Sequence, residues 1–408
     1  MKMHPCIICG NKKLERVISL GFHPLADTFL KKEQLLLQHK SYPLNCLLCR
    51  KCGHVQNEYF VSAEERYVEN EYSYTSSNSP VAMQHWKEYC ENASRFVNLG
   101  KSQHVIEFGS NDGYLLKRFL TKGVSVTGIE PSPLLAAISK KQGVYTIQGF
   151  LDKSTLSSAV KKNGKAKLIA GNNVFNHLSE TQEAVMLIRN ALHDDGYFVF
   201  EVPYLKDLVL QHAFDTIYHE HISYFSVKSA DYLLKKHGLY IARIEHNDYQ
   251  GGSLRVYSCK DKSKYNKNAV AQYVKQEEEA KLFSMETYSR FMAKITEDKW
   301  DVLSQLLSLK KEGKRIAAIG AATKGNTLLN FYRLDSGIID FVTDVSPYKI
   351  GKYMPGSFIP IVHDNLLSSG SIDAALILPW NIGKMLVQKI KKIHPNLKFI
   401  VPGEKGLI

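Results

Sequence analysis

The run Val105, Ile106, Glu107, Phe108, Gly109, Ser110, Asn111, Asp112, Gly113 leaves this chain few folds to choose from. Its apolar first half reads as a buried strand, and the glycines that follow allow a tight turn into the amphipathic segment 114–120. About twenty residues on, Val124, Ser125, Val126, Thr127, Gly128, Ile129 and Glu130 read as a second strand that ends in an acid. Strand, glycine turn, helix and strand in this order predict a doubly wound α/β domain, and the terminal acid is placed to accept hydrogen bonds from the ribose of a nucleotide-like cofactor.

The turn also discriminates between cofactors. It carries Gly109 and Gly113 but lacks the third glycine of the dinucleotide fingerprint, and Glu107 and Asp112 would repel a pyrophosphate. A cationic sulfonium tolerates those acids, so S-adenosylmethionine is expected rather than NAD. The predicted contacts are Glu107, Gly109, Asn111, Asp112, Gly113 and Glu130, with Asn173 from the loop that leaves a further strand predicted to start at Leu168.

Five of the seven cysteines fall within the first 52 residues. Cys6 and Cys9 form one Cys-x2-Cys pair, Cys49 and Cys52 a second, and 39 residues separate the pairs. Two such knuckles supply four thiolates for tetrahedral zinc, and Gly10 and Gly53 permit the tight turns after each. Four protein ligands leave no position for substrate, so the expected zinc is structural. Cys46 creates an overlapping pair and competes with Cys49 as the third ligand.

At 408 residues, 44% hydrophobic and 23% charged, the chain has the composition of a folded protein of two or three domains. No apolar run approaches the ~18 residues of a membrane span, and the first ten residues hold Cys and His where a secretory signal needs apolar ones. A cytoplasmic protein is expected. The net charge of +13 is scattered as pairs such as Lys161, Lys162 and Lys391, Lys392. No basic block is interleaved with aromatics, so solvated helix faces account for the charge better than nucleic acid does. No nucleic-acid or membrane partner is expected, and the chain is expected to act as a monomer.

Tyr218, His219, Glu220, His221, Ile222, Ser223, Tyr224, Phe225 and Ser226 pack two imidazoles, a carboxylate and two phenols into nine residues. That is a composition for proton transfer near neutral pH. A metal pair or a satisfied hydrogen-bond network are the alternatives. The glycines of Gly251, Gly252, Ser253, Leu254, Arg255 allow close approach to a ligand, or simply a hairpin turn. Residues 268–309, free of Pro and Gly, predict one or two helices, after which Arg315, Ile316, Ala317, Ala318, Ile319, Gly320 begin a second Rossmann-like lobe with strands expected at 338–342, 374–378 and 397–401. In it Gly320 and Gly325 can bring helix amides near an anion, with Lys324 adding charge.

These motifs together resemble the sugar C-methyltransferases that act on nucleotide-linked deoxysugars, typified by the thymidine-diphosphate-hexose C-3 methyltransferases. The resemblance runs through the paired cysteine module with Pro24, Leu25, Ala26, Asp27 between its halves, the turn at 107–113 and the loop 173–177. It continues through Tyr218, His219, Glu220, His221, then residues 251–255 and 320–330. It implies S-adenosylmethionine and structural zinc as cofactors, a nucleotide sugar, commonly thymidine-diphosphate-linked, as substrate, and C-methylation next to a keto group. By the same resemblance His221 is the base; Tyr218, Glu220 and His177 orient the sugar; Tyr72 or Tyr74 reaches it from before the cofactor domain; and Ser253, Arg255 and Lys324 are substrate contacts. His177 as a helix cap and Tyr72 and Tyr74 as one face of a packed strand are the structural alternatives.

The expected architecture is therefore α/β in three parts: a zinc-binding module over residues 1–65, a Rossmann-like class I methyltransferase domain over 66–260, linking helices over 261–310, and a C-terminal Rossmann-like domain over 311–408, with the sugar between the lobes. Methylation of oxygen or nitrogen on a nucleotide sugar is the second reading, and a zinc-containing RNA methyltransferase or RNA-binding protein the third.

Overall fold

The computed structural model of the chain describes residues 4–69, 75–77, 79–369, 372–404 and 406. They divide into two compact units whose sequences are interleaved: residues 1–15, 47–208 and 221–283 in the first, and 16–46, 209–220 and 284–408 in the second. No helix among the described residues is long and apolar enough to cross a membrane.

A seven-stranded sheet organises the first unit. Numbered in chain order within it, the strands are His104–Phe108, Ser125–Glu130, Thr146–Gln148, Ala166–Asn172, Leu192–Pro203, Tyr240–Asn247 and Ser253–Cys259, and they lie side by side as 3-2-1-4-5-7-6. The first five run parallel. The last two form an antiparallel hairpin at the edge. Alternate residues of the central strands feed opposite layers, as a two-residue period demands: Val105, Val126, Leu168 and Val199 pack on one side, and Ile106, Ile169, Phe198 and Phe200 on the other. Between the strands the chain re-enters helix at capped starts. Ser79 and Ser132 accept backbone amides ahead of Pro80 and Pro133, and Asp152 forms a capping box with Thr155.

Strand order reverses between the first and fourth strands, and a crevice opens there at their carboxyl ends. The turn that floors it is held by Gly109 and Gly113, at φ of 60° and 78°. A β-carbon on Gly109 would sit 2.5 Å from Val174, and one on Gly113 2.4 Å from Ser139. These glycines are required by packing as well as by backbone geometry.

The second unit is built on a five-stranded sheet, parallel throughout, in the order Ile361–His363, Phe341–Asp344, Ile316–Ile319, Ala374–Ile377, Lys398–Ile400. Helices Thr323–Tyr332 and Gly383–Lys391 follow its strands, and the long helix Met285–Lys311 precedes them. The early segment 16–46 joins this unit through a bridge in which Leu30 and Tyr353 exchange backbone hydrogen bonds of 2.9 and 2.8 Å. The helical stretch expected at 268–309 is thus two helices, and the first, Lys267–Glu279, belongs to the other unit.

Candidate functional site

The cysteine knuckles converge. Each closes with a turn in which the following glycine amide donates to the first cysteine carbonyl, Gly10 to Cys6 and Gly53 to Cys49, both at 2.8 Å. The Sγ atoms of Cys6 and Cys52 are 3.5 Å apart, as are those of Cys9 and Cys49, and all four lie within 4.8 Å of one another. Tetrahedral zinc with bonds near 2.3 Å needs sulfur separations of about 3.8 Å, so the four fit that ion. Cys46 is buried outside the set, which resolves the competition left open by its spacing. Asn11 Nδ2 donates to Cys49 Sγ at 3.5 Å, a hydrogen bond that favours the thiolate form a zinc ligand needs. The module is tied to its unit by Ile7, whose amide donates to Gln56 and whose carbonyl accepts from Gln182.

The crevice of the first unit is a cavity lined by Glu107, Gly109, Asn111, Glu130, Asn172 and Asn173, with apolar wall from Trp86, Leu115, Phe150 and Leu151. Two carboxylates line its floor. Glu130 receives the Asn111 and Ser132 amides at 2.8 and 2.9 Å, yet burial pushes its carboxyl up to about 7. Glu107 is buried with Oε2 lacking a hydrogen-bond partner among the described residues; burial, then Asp112 and Glu130, raises it well above the ordinary value. A buried acid with an unanswered oxygen calls for a donor or a cation. The ammonium and ribose hydroxyls of S-adenosylmethionine are such groups, and the cavity residues fit that cofactor. Asp112 faces elsewhere: its oxygens accept the Ser76 and Ser77 hydroxyls, each at 2.5 Å, and Asn111 Oδ1 accepts the Ser76 amide. Asp112, expected among the cofactor contacts, thus holds Ser76 and Ser77 in this structure.

Two imidazoles stand at the same end of this unit. His177, on a single helical turn after the Ala166–Asn172 strand, lines the cavity. Its ring centroid is 5.0 Å from that of His221, which is buried and edge-on to Tyr224 at 6.5 Å. Burial, then the charges of His221 and Arg66, holds His177 well below the ordinary imidazole value, so it is neutral. Sequence reasoning missed its neighbours. Tyr67 Oη and His177 Nδ1 are 2.6 Å apart, and Arg66 donates to the His177 carbonyl at 3.3 Å. Both come from a π-helical turn, Glu65–Glu69, whose wide spacing gives no periodic signal. Tyr72 and Tyr74 lie outside the described residues.

The motif that ends in His221 divides between the units, with Tyr218, His219 and Glu220 in the second. Glu220 accepts the Asp27 amide at 3.4 Å, and Asp27 in turn accepts the Thr323 hydroxyl at 3.0 Å. Tyr218 is half-buried. His219 is buried edge-on to Tyr42, and burial pulls it down to about 4. Lys324 opens the Thr323–Tyr332 helix; burial lowers it, and nearby Asp215 opposes the effect. Asp215, itself pushed up to about 6 by burial, accepts the Trp380 indole N–H at 2.8 Å.

Two expected substrate contacts are engaged inside the first unit. Arg255 is buried with its guanidinium on Glu201 at 2.7 Å and Glu245 at 3.0 Å, 4.4 Å above the Tyr89 ring. Burial would raise Glu201, but Arg255 and His85 keep it below the ordinary carboxylate value. Ser253 gives its hydroxyl to the Tyr249 carbonyl at 2.9 Å. Both engagements have one cause: the strand that follows the two glycines lies inside the sheet, where its polar side chains must find partners.

Known proteins share this organisation. Consecutive stretches match a putative zinc binding domain over residues 6–67, a methyltransferase domain over 83–244 and a C-methyltransferase C-terminal domain over 248–402. The chain is 30% identical over 399 residues to the C-methyltransferase NovU of Streptomyces niveus, covering 97% of this chain and 94% of that protein. It is 33% identical over 100 residues, 24% of its length, to an uncharacterized methyltransferase of Bacillus pumilus, of which 46% is covered. A solved magnesium protoporphyrin IX methyltransferase from Synechocystis PCC 6803 with bound SAH is similar over 44% of this chain and 83% of that one, at 14% identity and a TM-score of 0.35. Identity at this level along nearly the whole chain, joined to the four-cysteine cluster and the acid-lined crevice, places the protein in the C-methyltransferase family, as an S-adenosylmethionine-dependent enzyme with a zinc module, a class I methyltransferase domain and a C-terminal parallel-sheet domain.

Proposed function

We propose that this enzyme methylates a carbon next to the keto group of a nucleotide-linked 4-keto-deoxysugar, with C-3 as the position. The observation that carries the reading is the pairing of His177, which lines the acid-lined cavity, with the buried His221, whose ring centroid is 5.0 Å away. A carbon between a carbonyl and a departing proton needs a base on one side and a hydrogen-bond donor for the enolate oxygen on the other. In this reading His221 takes the proton, and His177, kept neutral by burial, offers an N–H to the oxygen. S-adenosylmethionine, held by the residues of the crevice, would supply the electrophilic methyl for the new C–C bond, with loss of the sulfonium C–S bond. Tyr218, Glu220 and Tyr72 or Tyr74 are proposed to orient the sugar, and Lys324 to meet an anionic part of the substrate. The acid-crowded crevice floor also favours this cofactor over a dinucleotide.

The test is mass spectrometry of products from methyl-labelled S-adenosylmethionine and a panel of nucleotide-linked 4-keto-6-deoxysugars, for wild type and His221→Ala. One labelled methyl on sugar carbon, lost in the variant, is the expected result. Transfer to oxygen or nitrogen would instead support heteroatom methylation, with His221 deprotonating a hydroxyl or amine. A substrate whose ketone has been reduced should be inert under the first reading and remain active under the second.

A further inference from the structure

The hydrogen bond between Tyr67 Oη and His177 Nδ1 fixes more than a ring position. At 2.6 Å it is short, and the two rings are 5° from coplanar with centroids 6.2 Å apart, the geometry of an in-plane bond to a ring nitrogen. Arg66 has donors only; its Nη1 donates to Tyr67 Oη at 3.3 Å, with the guanidinium 5.0 Å over the phenol ring. The same guanidinium donates through Nη2 to the His177 carbonyl and through Nε to the Ser62 carbonyl, both at 3.3 Å. The His177 amide donates to Val174 at 2.9 Å. The histidine backbone, the phenol and the cation between them are therefore mutually positioned.

A neutral phenol is the stronger acid of this pair and an imidazole nitrogen the stronger base, so the proton between them belongs to the oxygen. Donation from Arg66 to the phenol oxygen strengthens that polarity. An imidazole whose Nδ1 accepts must carry its single N–H on Nε2. That atom is buried and has no hydrogen-bond partner among the described residues, and its ring lines the cavity beside His221.

We propose that Tyr67, supported by Arg66, is a positioning residue that sets the tautomer of His177, so that Nε2 presents an N–H toward the reacting centre. The assignment of the tautomer stands on this geometry alone. That the N–H meets an oxygen developing negative charge rests on the function proposed above.

The experiment is two-bond proton–nitrogen correlation NMR of the zinc-loaded full chain with nitrogen-15 histidine, with the His177 signals identified by their loss in His177→Gln. Wild type should show His177 protonated at Nε2. In Tyr67→Phe the tautomer should shift toward Nδ1–H, and kcat should fall by about 10–100-fold, further than S-adenosylmethionine affinity weakens. A wild-type spectrum with the proton on Nδ1 overturns the proposal, even if the variant fails to fold. So does a folded Tyr67→Phe enzyme with an unchanged tautomer. Because the spectrum needs no sugar, failure of every 4-keto-sugar in the transfer assay would remove the proposed substrate and leave the tautomer assignment intact.

Discussion

Glu130 illustrates how a single side chain can be uncomfortable alone and useful when occupied. Its carboxyl, ordinarily near 4.5, is pushed up to about 7 by burial, against the pull of two backbone amides. Between these values the folded chain holds a proton that the unfolded chain has lost, so this group lowers apo-protein stability as pH rises from about 4.5 to about 7. A cofactor that donates hydroxyls to the carboxylate favours the ionised form. S-adenosylmethionine affinity should therefore tighten as pH rises through about 7, and Glu130→Gln should flatten that dependence; calorimetric titration across this range checks both. An affinity in wild type that does not vary with pH would remove Glu130 from ligand contact. The place of Glu130 at the end of its strand was legible from an apolar run that stops at an acid. The employment of Arg255 was not, because its partners Glu201 and Glu245 come from neighbouring strands and only the folded register sets them beside it.

The strand Ala166–Asn172 carries a constraint of a different kind. Gly171 needs no left-handed conformation, yet a β-carbon there would fall 2.1 Å from the Phe108 ring on the adjoining strand. Phe108 is fully buried among Phe198 and other core residues and has little room to retreat. Gly171→Ala should cost about 1–3 kcal/mol through overpacking, read as a lower midpoint in chemical denaturation. It should also weaken cofactor binding, since Asn172 and Asn173 follow directly in the cavity wall. The strand itself was visible in its apolar run. The reason for its glycine was hidden because the ring that forbids a side chain lies some sixty residues earlier in sequence, and so was the turn bearing Tyr67, whose π-helical spacing matches neither strand nor helix periodicity.

For the molecule as a whole, the cysteine count announced a metal before any fold was known, and the spacing left only the third ligand ambiguous. The sulfur positions assign it: Cys46→Ser should retain one zinc per chain, and Cys49→Ser should lose it, by elemental analysis of the purified variants. Retention of zinc by Cys49→Ser together with loss in Cys46→Ser would reverse the assignment. The seven-stranded and five-stranded sheets were legible as alternating strand and helix patterns. The division of the chain between the units was not, because segments such as 16–46 and 209–220 are assigned by partners far away in sequence, as Leu30 is by Tyr353.

That interleaving has a consequence for the order of synthesis. On a ribosome, every segment of the first unit has been made once residue 283 emerges, and the cysteines that close its metal loop have long been available. Residues 16–46, which hold the paired strands Glu15–His23 and most of Tyr42–Cys49, and residues 209–220 are by then also made, but the five-stranded sheet of their unit is encoded entirely in the remainder, 284–408. The nascent chain thus carries two segments, with Leu25, Phe29 and Leu30 among their buried side chains, whose unit is incomplete until residues 284–408 have followed. A stop soon after residue 283 would release a polypeptide able to assemble the seven-stranded sheet while leaving Leu25, Phe29 and Leu30 without the rest of their unit.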